Sequence, residues 1–73
     1  MKTMRETLID ALTAHYQGQA QIHYANISVY LENPTGIGEH PDITGAIDEE
    51  LEKLASADEK LEVLNKYFVS GKS

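Results

Sequence analysis

A chain of 73 residues without cysteine has room for one small domain and cannot hold it with disulfides or a thiolate metal site. Domains below roughly 70–80 residues rarely stand on their own core, so a partner chain is expected to supply what is missing. A formal charge of −6 disfavours direct binding to nucleic acid or to an anionic membrane surface.

Met1-Lys2-Thr3-Met4-Arg5 leads into Glu6 and Asp10, not into an apolar run, so the start does not read as a signal peptide. No stretch is apolar for long enough to span a bilayer. With the absence of cysteine, these features make a cytoplasmic location the expectation.

Residues 3–32 hold no proline and a single glycine, and their apolar positions recur in steps of three and four, predicting a helix over about 3–32. One row is Met4, Leu8, Leu12, Ile22 and Val29, joined by His15, Gln19 and Asn26. A second is Ile9, Tyr16, His23 and Tyr30, and a third is Ala20, Tyr24, Ile27 and Leu31. Together they cover about 200° of the C-terminal half, where a one-sided surface helix needs little more than 100°.

Residues 33–40 break the pattern. A residue before proline is driven out of the helical region, so Asn33-Pro34 ends the first helix. Asn33-Pro34-Thr35-Gly36 fits a type I turn, and Gly38 permits a positive φ. Ile37 is the apolar residue between the two glycines, expected beneath the corner. Glu39 and His40 have no part in the turn, which marks Ile37, Glu39, His40 and Asp42 as a candidate interaction tip.

A second helix is predicted over about 41–69. Pro41 suits a first helical position, and Asp42 complements the helix dipole. Ile47, Leu51, Leu54, Ala57, Leu61, Leu64 and Phe68 form one narrow stripe. Ser56-Ala57-Asp58-Glu59 matches a capping box that could start a new helix. The stripe keeps its phase through Ser56, so one continuous helix is expected.

The two helices should form an antiparallel hairpin with position i roughly opposite 74 − i. Gly18 then meets Ser56 between Ala55 and Ala57, and close approach of the two backbones would give it a packing role. The second helix needs one neighbour, and the first needs at least two. A homodimer with first helix against first helix, a four-helix bundle, answers that need. Its expected interface is Ile9, Tyr16, His23, Tyr24, Ile27, Tyr30 and Leu31, with His23, Asn26 and Gln19 as polar groups in or beside the seam.

Chemistry finds little support. His15 and His23 stand about 12 Å apart along a helix rising 1.5 Å per residue, so they cannot share a metal within one chain. Glu39, His40 and Asp42 lack a spaced ligand partner. Gly36-Ile37-Gly38 is neither a dinucleotide fingerprint nor a P-loop, and acidic neighbours would repel a phosphate. Asp48, Glu49 and Glu50 lie on a helix with no site that excludes water. No catalytic residue, cofactor or metal is expected.

Val29-Tyr30-Leu31, Asn33-Pro34, Gly36-Ile37-Gly38-Glu39-His40-Pro41-Asp42-Ile43 and the acidic helix ending Ala57-Asp58-Glu59-Lys60-Leu61-Glu62-Val63-Leu64 together resemble small uncharacterised proteins of T4-like tailed phages of the marine and cyanobacterial type. The resemblance runs from Ile22 to Leu64. It implies a viral accessory protein at work inside an infected bacterial cell, and it carries no assigned activity or catalytic residue. The leading expectation is a non-enzymatic protein–protein interaction factor. A purely structural homo-oligomeric module is the second. The third is an acidic nucleic-acid mimic, because residues 32–52 hold seven acidic side chains and no Lys or Arg.

Overall fold

The computed structural model describes residues 1–32 and 42–69. It is all-helical over those residues: α1 is Met4–Glu32, α2 is Ile43–Leu64, and a π-helical turn, Asn65–Val69, continues α2. The connection at 33–41, with Ile37, Glu39 and His40, lies outside the described residues, as do residues 70–73.

α1 starts at a reciprocal cap. The Thr3 hydroxyl accepts from the Glu6 backbone N–H at 3.1 Å, and the Glu6 carboxylate accepts from the Thr3 N–H at 3.0 Å. Two of the N–H groups that a helix start leaves unpaired are thereby satisfied. The same pattern at Ser56 is unused, and α2 runs unbroken through it. A cap stabilises a helix end by about 1 kcal/mol. Breaking α2 at Ser56 would cut the stripe that packs on α1.

α2 begins two residues later than its proline suggests. Asp42 is the N-cap, and its carboxylate accepts from the Gly45 N–H at 3.0 Å. A Cβ on Gly45 would fall 2.7 Å from the Asp42 Oδ1, so the glycine keeps room for the cap. At the other end, Arg5 donates to the Phe68 carbonyl at 2.9 Å. A guanidinium thus meets a carbonyl at a helix C-terminus, where positive charge is favoured.

The helices pack antiparallel along their length. Arg5–Phe68, Tyr16–Lys60, His23–Glu50 and Asn26–Glu50 all fall within two residues of the expected register. The line of contact on α2 is Ile47, Glu50, Leu54, Ala57, Leu61 and Leu64, each at least half-buried. Leu51 and Phe68, expected in that stripe, are about half exposed. Glu50 takes the inward place beside Leu51, and the wider π turn breaks the three-and-four stepping after Leu64.

Two helices share one line of contact, which does not make a core. Among the described residues the one buried side chain is Ala57, 2% exposed. A helical domain closes only when a second layer covers the open faces.

Gly18 does not have its expected role. A Cβ built there meets nothing within 4 Å, so the approach of α2 does not require a glycine. Gly within a helix costs about 1 kcal/mol relative to Ala. Gly18→Ala is therefore expected to stabilise the hairpin by roughly that amount, read as a higher thermal midpoint at a concentration low enough to keep the chain monomeric.

Candidate functional site

Of the row expected to stay free for a second chain, Ile9, Tyr16, His23, Ile27 and Tyr30 are half-buried. His23 bonds α2, Lys60 of α2 lies 5.5 Å over the Tyr16 ring, and Ile9 shares a hollow with Leu61 and Leu64. This row is where the hairpin itself closes, so the expectation that it remains uncovered is corrected. Tyr24 and Leu31, the other two interface candidates, are indeed open to solvent, each 67% exposed.

The choice of row is made by a polar cluster. Glu50 Oε1 receives the Asn26 amide at 3.1 Å and lies 2.7 Å from His23 Nδ1. A carboxylate only accepts, so the shared proton sits on Nδ1. His23 and Glu50 are 17% and 14% exposed at their side chains, which places the pair well inside the helix contact. The hydrogen bonds from His23 and then Asn26 hold the Glu50 carboxyl below its ordinary range. His23 and Asn26, expected at a seam between chains, thus work within one chain. Glu50 was missed by apolar periodicity because it is charged. Its spacing was visible all the same, three residues after Ile47 and four before Leu54.

Besides Tyr24 and Leu31, this packing leaves the apolar residues of the first row open. Leu8, Leu12, Ile22 and Val29 are 41–59% exposed. With His15, Gln19 and Asn26 they follow steps of four and three from residue 8 to 29, the spacing of a helix–helix seam. Leu12 also borders a shallow groove with Tyr16, Lys60, Val63 and Phe68, which carries the apolar face onto α2.

Charge separates the two helices. Residues 11–31 contain no Asp, Glu, Lys or Arg, while α2 carries nine such residues. No helix is long and apolar enough to cross a membrane among the described residues.

Asp42, from the candidate tip, caps α2; Ile37, Glu39 and His40 lie outside the described residues. Among the described residues no group of three His, Asp or Glu side chains is placed to hold a metal. Comparison of the chain with protein-family models, with curated proteins and with solved structures finds no match.

Proposed function

We propose that the chain is a non-enzymatic interaction module whose open helical face is covered by other protein, first by a second copy in a four-helix bundle. The observation that carries this reading is the exposed, uncharged seam Leu8–Leu12–Ile22–Val29 on a hairpin with one buried side chain among its described residues. Apolar surface arranged at seam spacing is what a protein–protein contact uses. The resemblance to small phage proteins supports an accessory factor acting in the cytoplasm of an infected bacterium. Mimicry of nucleic acid is the weaker reading, because Glu50, one of its seven acidic side chains, turns inward to His23.

Light scattering across a concentration series tests the module. The expected result is a mass of twice 8.1 kDa at micromolar concentrations, falling towards 8.1 kDa on dilution. A monomer throughout would remove self-assembly and leave the same face to a foreign partner.

A further inference from the structure

We infer that the second copy docks with its α1 antiparallel to the first α1, along the Leu8–Val29 seam, with Leu12 of each chain against Ile22 of the other. The inference rests on the interaction module proposed above and gives it an occupant, a direction and a register.

The exposed area leaves room for a partner of about this size. The chain exposes 5689 Å², against about 4,500 Å² for a compact monomer of its mass. The excess of about 1,200 Å² exceeds the roughly 800 Å² that each partner buries in a standard interface.

The direction follows from charge. Residues 32–52 carry seven acidic and no basic side chains, a charge of −7. The rest of the chain carries five acidic and six basic ones, a charge of +1, and the two together give the formal −6. Among the described residues, Glu32 ends α1 and Asp42, Asp48, Glu49, Glu50 and Glu52 lie from the N-cap of α2 into its third turn, so these acidic side chains share one end of the hairpin. A parallel dimer would set two acidic ends side by side, whereas an antiparallel dimer sets each acidic end beside an end whose described charges balance, five acidic against five basic. Opposed α1 dipoles favour the same choice.

The register follows from the seam. Its apolar residues stand in two pairs, Leu8 with Leu12 and Ile22 with Val29, around a polar centre of His15 and Gln19. Placing position i opposite about 34 − i sets like against like in the three central layers of an antiparallel seam. Leu12 meets Ile22 twice, once on each side of the two-fold axis. His15 meets Gln19, donor to acceptor, at the centre. Leu8 lies between Asn26 and Val29 of the second copy. The axis passes beside Gly18, the residue to which packing within the hairpin gives no role.

The absence of native cysteine makes the test direct. Leu12→Cys and Ile22→Cys are prepared as separate full-length chains, mixed, and oxidised mildly at a concentration where light scattering gives the dimer mass. The expected product is the mixed disulfide in large excess, with each variant alone giving little. Same-residue positions are 10 residues out of register in the antiparallel arrangement, about 15 Å along the axis. Efficient self-linking of each variant alone would mean a parallel dimer and overturn the inference. A dimer mass without any linkage would place the contact on another face, overturning the inference while the module stands. A monomer mass for the unmodified chain would overturn both.

Discussion

Replacing Glu50 by alanine is expected to lower the melting temperature of the hairpin by about 5–10 °C, the range that one or two broken internal hydrogen bonds produce in a domain this short. The carboxylate receives both the His23 and the Asn26 bonds on one oxygen, so its loss strands two polar groups in the helix contact. Glu50→Gln retains one accepting oxygen for both donors but loses its charge, and should fall between the alanine variant and the wild-type chain. A paired change of His23 and Glu50 to leucine should recover part of the loss, because it removes the histidine along with its acceptor and leaves the Asn26 amide alone unsatisfied. Acid provides an independent check. The folded chain holds the Glu50 proton less tightly than the unfolded chain, so this contribution is complete above the ordinary value of 4.5 and drains away as pH falls below it. The wild-type chain should therefore lose its advantage over Glu50→Gln in that window, measured as the difference between their melting temperatures at pH 6 and below pH 4. An unchanged difference would separate Glu50 from the stability of the contact.

Most of the fold was legible because local chemistry and periodicity agreed. α1 ends at Glu32, the paired residues of the two helices fall within two positions of the expected antiparallel register, and the apolar stripe carries α2 through Ser56. What periodicity left open was the row of α1 that meets α2. Three adjacent rows on α1 are each apolar enough to pack, so spacing alone does not choose among them. The choice follows from the one charge on the inner line of α2. Glu50 needs donors, and the row holding His23, with Asn26 at its edge, supplies them. Once that row is used inside the hairpin, Leu8, Leu12, Ile22 and Val29 become the open face. The polar groups in the contact thus determine which apolar surface is left for another chain.

That order of causes makes the seam separable from the hairpin, and a pair of charge substitutions exploits it. Leu12→Glu and Ile22→Glu alter side chains that solvent already reaches in the single chain, so each should change helix content at low concentration very little. In the dimer each variant places two unpaired carboxylates in an apolar layer. Removing a charge from water without a partner costs about 3–5 kcal/mol, which corresponds to a loss of affinity of at least about 100-fold. Light scattering should then give the monomer mass where the unmodified chain is a dimer, with the helical signal by circular dichroism retained. The antiparallel register adds a rescue. A Leu12→Glu chain mixed with an Ile22→Lys chain brings the new charges together as an opposite pair, whereas each chain with its own kind retains unpaired charge in the layer. The mixture should therefore assemble as a heterodimer at concentrations where neither chain does so alone. Assembly of Leu12→Glu with Leu12→Lys instead would reverse the direction of the helices. Unchanged self-association of both glutamate variants would move the contact off this face.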